Sequence, residues 1–62
     1  MDKLAYNVTE AAEAIGVSDR KVRDLINVDG FPVVRLGGRT IIPVDPLRDW
    51  LREKAERGEV VQ

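Results

Sequence analysis

The stretch formed by residues 8–27, VTEAAEAIGVSDRKVRDLIN, restricts the fold more than any other part of the chain. It places a small residue, a glycine and a β-branched apolar residue at Ala12, Gly16 and Val22. Glycine can end a helix in the left-handed conformation without the steric cost of a Cβ atom. The spacing therefore predicts two short helices joined by a tight turn, which is a helix-turn-helix.

Hydroxyl side chains stand where each of the two predicted helices begins. A hydroxyl oxygen can accept a hydrogen bond from a free N–H group of the first helical turn. Thr9 is therefore expected to cap a first helix over residues 10–15. Ser18 is expected to cap a second helix over residues 19–27, and Val17 to pack inward between the two helices.

The second predicted helix has an apolar and a polar face. At 100° per residue, Val22, Leu25 and Ile26 form a single stripe that faces the core. The opposite face carries Arg20, Arg23, Asp24 and Asn27, with Lys21 on the flank. Guanidinium, ammonium and amide groups can bind base edges and phosphates. The alternative is a solvated face on which Arg20 and Asp24, four residues apart, pair with each other.

Two runs rich in β-branched residues, 33–36 and 39–42, are separated by Gly37 and Gly38. Two glycines tolerate the positive φ values of the turns that close two-residue hairpins. A loop of this length predicts three facing pairs: Leu36 with Arg39, Val34 with Ile41, and Arg35 with Thr40.

The apolar and the polar side chains of the predicted hairpin are expected at different places, in the core and around the tip. The apolar residues Val34, Leu36 and Ile41 are expected to contact the core. The polar residues Arg35, Arg39 and Thr40 are expected to surround the tip. A positively charged hairpin tip beside a helix-turn-helix is typical of a wing. The alternative role of the two arginines is to keep an edge strand from pairing with other sheets.

A third helix is predicted over residues 46–57. Asp45 is expected to cap it, and Pro46 fits its first position, where the missing N–H would be unbonded anyway. Leu47, Trp50 and Leu51 then form a stripe over the core. Trp50 is accordingly interpreted as a core residue rather than as a platform on which a base stacks.

Sixty-two residues allow a single domain with a small core. We expect one domain over residues 1–62 with an ordered core over about 5–57, a helix-turn-helix over 9–27, a wing over 33–42 and a C-terminal helix over 46–57. Leu4 and Tyr6 are the expected apolar anchors of the N-terminal arm.

The composition excludes several classes of function. The chain has no Cys and no His, so zinc fingers, disulfides and imidazole catalysis are excluded. No pair of carboxylates is placed as in a catalytic pocket, and we expect neither an enzyme nor a metal or cofactor. The chain lacks an apolar run that could span a bilayer or form a signal peptide, which favours a cytoplasmic protein.

Charge is unevenly distributed along the chain. The net charge is −1, yet residues 18–40 contain five basic and three acidic residues, a net charge of +2. The remainder contains five basic and eight acidic residues, a net charge of −3. The predicted second helix and hairpin are therefore the part best suited to a polyanion.

The chain resembles the excisionase-type helix-turn-helix family, which is related to MerR-like winged-helix domains and includes phage regulators such as AlpA. The matching segments are VTEAAEAIGVSDRKVRDLI and FPVVRLGGRTIIPVDPLRDWL, which cover nearly all of residues 6–51. The resemblance implies a small, mainly α, α+β fold in which a two-stranded β-hairpin wing and a C-terminal helix follow the helix-turn-helix. It also implies that the second helix enters the major groove and that the wing contacts the backbone or the minor groove.

The resemblance implies DNA-binding roles for residues of both elements. These are Ser18, Arg20, Lys21 and Arg23 on the recognition helix, and Arg35, Arg39 and Thr40 on the wing. The exposed amide of Asn27 completes the predicted set. Asp19 and Asp24 on the recognition helix depart from many family members.

The expected function is that of an excisionase from a prophage or other mobile element, which binds and bends double-stranded DNA and has an integrase as a possible partner. The alternatives are a transcriptional regulator of the same fold and a protein-interaction module that does not bind DNA, which the acidic overall charge favours. Since no apolar stripe is left over, we expect a monomer in solution that binds side by side with other copies on DNA.

Overall fold

The computed structural model describes residues 3–58 and contains three helices and three strands. In chain order these are β1 (Ala5–Tyr6), α1 (Val8–Ile15), α2 (Asp19–Ile26), β2 (Val34–Leu36), β3 (Arg39–Pro43) and α3 (Val44–Arg57). The strands form an antiparallel sheet in the order β1-β3-β2, so β1 adds a third strand to the predicted hairpin. The predicted class, a small and mainly helical winged helix-turn-helix, is confirmed.

The core collects apolar side chains from all three helices, the loop before β2, and β3. Its buried members are Ala11, Ala12, Val22, Leu25, Phe31, Ile42 and Leu47. Two alanines on α1 let α2 approach closely, as the small-residue pattern predicts. Trp50 packs against this cluster and meets the ring of Phe31 edge to face, with centroids 5.0 Å apart at 85°. Its interpretation as a core residue is therefore confirmed.

The turn between α1 and α2 forms as the glycine spacing predicts. Gly16 has a φ of 91°, and the N–H groups of Gly16 and Val17 both donate to the carbonyl of Ala12, at 2.8 and 3.0 Å. Ser18 caps α2 by accepting from the N–H of Lys21 at 3.1 Å. The prediction that Val17 packs inward is wrong, because these backbone bonds hold its N–H toward α1 and leave its side chain 38% exposed.

The cap of α1 is Asn7, not Thr9. The Asn7 side chain accepts from the N–H of Glu10 at 2.7 Å, and the Glu10 carboxylate accepts from the N–H of Asn7 at 3.0 Å. This reciprocal capping box satisfies two free donors at once. Thr9 lies within α1, and its hydroxyl instead donates to the carboxylate of Asp19 at 2.9 Å. The Thr9 side chain thus joins α1 to α2.

The start of α3 also differs from the prediction. The helix begins at Val44, with Pro43 at the N-cap and without a side-chain cap, so Asp45 lies in the first turn and does not cap. The N–H of Val44 donates to the carbonyl of Leu4 at 2.9 Å. Because Pro46 has no N–H, the first turn needs few acceptors and forms without a capping side chain.

Two apolar residues predicted to pack inward lie at the surface. Leu4 is 91% exposed and contributes its backbone carbonyl rather than its side chain. Leu51 is 37% exposed, because Leu47 and Trp50 already cover the core from α3.

The hairpin has the predicted register, but the side of it that packs on the core is the opposite of the predicted one. The pairs are Leu36 with Arg39, Val34 with Ile41, and Arg35 with Thr40. Ile42 is fully buried, and side chains alternate along a strand, so Ile41 lies on the other side of the sheet. Val34 and Leu36, which pair on that side, are 43% and 62% exposed. The prediction that Val34, Leu36 and Ile41 supply the core contacts is therefore wrong.

The side of the hairpin opposite Ile42 is called the outer wing face below. It consists of Val34, Leu36, Arg39 and Ile41. Its exposed aliphatic groups contradict the premise that no apolar surface is left over, on which the expectation of a monomer depends.

Candidate nucleic-acid interface

The helix α2 presents a polar surface opposite its buried stripe. Val22 and Leu25 are buried in the core, whereas Arg20 and Arg23 are exposed. Asp24 and Asn27 share the exposed side, and Lys21 is half-buried on the flank. The amphipathic pattern of this helix is therefore confirmed.

The two acidic residues of α2 have different environments. Asp19 is half-buried and accepts the hydrogen bond from Thr9, so its carboxylate is held against α1. Asp24 is exposed. Within residues 3–58 neither Arg20 nor Arg23 forms an ion pair, and the alternative pairing of Arg20 with Asp24 is not observed.

The two polar residues at the ends of α2 bind its backbone. Ser18 accepts from the N–H of Lys21, as described above. The Asn27 amide donates to the carbonyl of Arg23 at 3.3 Å, and the backbone N–H of Asn27 donates to the carbonyl of Asp24 at 3.1 Å. Both side chains are exposed. Their hydrogen bonds to the backbone of α2 therefore fix their positions without burying them.

The wing carries its two arginines on opposite faces. Arg35 lies on the side of Ile42 but beyond the core, where its guanidinium donates to the hydroxyl of Thr40 at 3.3 Å. Arg39 lies on the outer wing face opposite Leu36. Both arginines are exposed, and residues 34–43 include no acidic residue. The tip therefore presents positive charge on both sides.

The predicted site residues form two separate groups. Hydrogen bonds connect Ser18 with Lys21 and Asn27 with Arg23 on α2, and Arg35 with Thr40 on the wing. In the part of the chain that the structure describes, no hydrogen bond or ion pair connects the α2 group to the wing group.

Shallow surface cavities occur away from these groups in the part of the chain that the structure describes. One, of about 210 Å³, lies between α1 and α3 and is lined mainly by apolar side chains. Another, of about 230 Å³, is lined by Lys3, Leu4, Val44, Asp45 and Arg48. Among residues 3–58, no group of three acidic side chains could hold a metal ion. No helix described here is long and apolar enough to cross a membrane.

Two features of the interface are absent from the sequence predictions. The bond between Thr9 and Asp19 has no local signature, because it joins residues of different helices. The outer wing face was missed because Ile41 and Ile42 are both apolar, so alternation alone does not show which of them points inward. The Asn7 cap, in contrast, has a sequence signal in the Asn-x-x-Glu spacing of residues 7–10.

Comparison with known families gives a match that covers most of the chain. A family model described as a helix-turn-helix domain matches residues 5–55, a range that begins at β1 and ends within α3. It includes both helices of the helix-turn-helix and the whole wing. Neither a curated protein nor a solved structure matches the chain.

Proposed function

Since this chain belongs to the helix-turn-helix domain family, of the excisionase and AlpA-like type, we propose that it is an excisionase of a prophage or other mobile element. In this role it binds a specific DNA site and bends the duplex so that an integrase can excise the element. It carries out no bond chemistry itself. The family supports the DNA-binding role.

The observation that carries the proposal is the free positive charge on α2. Arg20 and Arg23 are exposed and form no ion pair within residues 3–58, so neither has to break one to contact a phosphate. Asp19, which would repel a phosphate, is held by Thr9 on the side of α1. Asp24 is the acidic group on α2 that still opposes binding.

The dimensions and chemistry of α2 suit the major groove. An α-helix with its side chains is about 10–12 Å in diameter, and the major groove is about 12 Å wide. A guanidinium can bind both acceptors of guanine, and an amide can bind adenine. Arg20, Arg23 and Asn27 are thus suited to base edges, while Ser18 and Lys21 are suited to phosphates near the start of the helix.

The wing supplies a second contact. Arg35, Arg39 and Thr40 combine positive charge with a hydroxyl on a narrow hairpin, which suits phosphates or the minor groove beside the bound helix. Two contacts in neighbouring grooves would favour a bent duplex. The cost of bending, a few kcal/mol, is offset by the added contacts, particularly when several copies bind side by side.

Salt-dependent titration of labelled random-sequence duplex tests the DNA-binding part of this proposal. We expect measurable affinity at low salt and a decrease in log K with log salt of about 0.9 for each phosphate neutralised. Arg23→Ala should weaken binding and reduce the slope by about 1, because on random-sequence duplex, where specific base contacts are lost, its guanidinium neutralises a phosphate. No association at low salt would contradict the proposal and would favour a protein-interaction module.

Arg52→Ala is the matched control for this titration. It removes the same charge, but Arg52 lies on α3, where it pairs with Asp49 at 3.3 Å. We expect it to bind duplex nearly as the wild type does. Equal losses for Arg23→Ala and Arg52→Ala would indicate attraction by overall charge rather than a recognition helix.

The excisionase role is tested by reconstituted excision. An integrase gene beside the gene for this chain would identify the enzyme to use. We expect the chain to raise the yield of excised circles from a plasmid that carries both recombination sites, and Arg23→Ala to lose that effect. DNA binding without any effect on excision would favour the transcriptional regulator instead.

A further inference from the structure

The outer wing face exposes aliphatic groups at the place where the wing is most basic. Leu36 is 62% exposed, immediately precedes Gly37 of the turn, and lies opposite Arg39. Arg35 is its neighbour in β2, on the other face of the hairpin. Because Leu36 is largely exposed, its side chain contributes little to the hydrophobic core. The fold therefore does not explain why a leucine stands between two exposed arginines.

We infer that Leu36 is an apolar wedge that enters the minor groove and separates two stacked base pairs, which rests on the proposed DNA-binding function. Proteins that bind the minor groove place Arg or Lys in it and often insert an apolar side chain between base steps. Leu36 and Arg39 form such a pair on one face of a narrow hairpin. Insertion of this side chain would then supply most of the bend expected of an excisionase, with the contacts of α2 and the wing holding the bent duplex.

A second copy of the chain fits this face less well than DNA does. A stable dimer buries about 800 Å² per partner, and the aliphatic groups of Val34, Leu36 and Ile41 offer far less. A two-fold contact through the outer wing faces would also bring Arg39 toward Arg39 of the other copy. Residues 34–43 hold no carboxylate that could compensate. Charge complementarity therefore favours the polyanion.

The position of Leu36 distinguishes it from Val34. Both lie on the outer wing face, but Val34 is two residues further from the turn, about 7 Å along the strand, and is 43% exposed. Val34 also lies opposite Ile41, its partner in β3. Only the residue at the turn can enter the groove deeply, so Val34→Ala is a matched control for Leu36→Ala.

The experiment uses duplexes of about 30 base pairs selected from a random pool with the wild-type protein. Donor and acceptor dyes at the two ends report the bend. A 2-aminopurine at each pyrimidine–purine step in turn reports unstacking, because such steps kink most easily. Wild type, Leu36→Ala, Leu36→Met and Val34→Ala are compared, and the salt slope of binding is measured for each. Thermal unfolding verifies that all four are folded.

We expect the wild type to kink the duplex by about 20–90° and to raise 2-aminopurine fluorescence at one step. Leu36→Ala should lose most of both signals and keep the salt slope, since it removes no charge. Leu36→Met should retain them, because methionine keeps an apolar side chain of similar length, and Val34→Ala should behave as the wild type.

Three results would overturn the inference. A wild type that fails to bind duplex would refute the proposed function along with the wedge. Binding with a bend that Leu36→Ala leaves intact would refute the wedge alone. Self-association of the wild type without DNA, lost in Leu36→Ala, would assign the outer wing face to a second copy instead.

Discussion

The two glycines of the wing turn are identical in sequence but not in conformation. Gly37 has a φ of 61°, whereas Gly38 does not have a positive φ. A positive φ at the first central position alone is the pattern of a type II′ turn. A Cβ added to either glycine would meet no atom within 4 Å. The requirement for glycine is therefore one of backbone conformation, and it applies to Gly37.

The two alanine variants of this turn should differ in stability. Gly37→Ala should lower the free energy of unfolding by about 1–2 kcal/mol, because it places a Cβ in a left-handed backbone. Gly38→Ala should be neutral or should stabilise by up to about 1 kcal/mol, since it restricts the unfolded chain. Urea unfolding followed by the fluorescence of Trp50, the one tryptophan, measures both. Equal effects would contradict the type II′ assignment.

The cap of α1 gives a second prediction for single residues. Asn7→Ala should lower the free energy of unfolding by about 1 kcal/mol, because it leaves the N–H of Glu10 without an acceptor. Thr9→Ala should cost less than half of that, since Thr9 supplies an exposed bond to Asp19 and alanine is the better helix former. Thermal unfolding of both variants compares them. A larger loss for Thr9→Ala would mean that the bond between α1 and α2 stabilises the fold more than the Asn7 cap does.

At the scale of the elements, local signals predicted most of the fold. A two-residue loop has one possible register, so Gly37 and Gly38 were enough to pair β2 with β3. The turn glycine and the Ser18 cap likewise defined α2. Which side of each strand packs on the core depends on contacts with α1 and α3. These contacts are between distant parts of the chain, so no local sequence pattern predicts them. Because residues 41 and 42 are both isoleucines, the sequence allowed either of them to point into the core. Tertiary packing places Ile42 there.

The facing of the wing can be tested by shortening each of these isoleucines. Ile42→Val should lower the free energy of unfolding by about 0.5–1.5 kcal/mol, because Ile42 is fully buried and the lost methyl group leaves a cavity. Ile41→Val should cost less than about 0.5 kcal/mol, because Ile41 is only partly buried and lies outside the core cluster. Denaturant titration at constant m-value gives both numbers. The reverse order would mean that the hairpin faces the other way.

At the scale of the whole molecule, the sequence was enough to predict which functional groups α2 exposes. It was not enough to predict how the charges around them are arranged. The exposed arginines of α2 follow from helical periodicity alone. In the net charge, in contrast, Asp19 and Asp24 count equally. The structure distinguishes them, because the Thr9 hydroxyl donates a hydrogen bond to Asp19. The net charge is accordingly a poor guide to the charge that α2 presents, because the Asp19 carboxylate is half-buried and bonded to Thr9 of α1, whereas Asp24 is exposed.

Removal of the exposed carboxylate should therefore strengthen DNA binding. Asp24→Asn eliminates repulsion of a nearby phosphate, for which Coulomb's law in water gives about 1 kcal/mol at 4 Å, or about fivefold in affinity. The gain should shrink as salt screens the charge. Glu56→Gln is the control, since it changes the net charge equally from an exposed position near the end of α3. Titration of random-sequence duplex with both variants measures the effect. Equal gains would show that overall charge decides, whereas a gain confined to Asp24→Asn would assign the contact surface to α2.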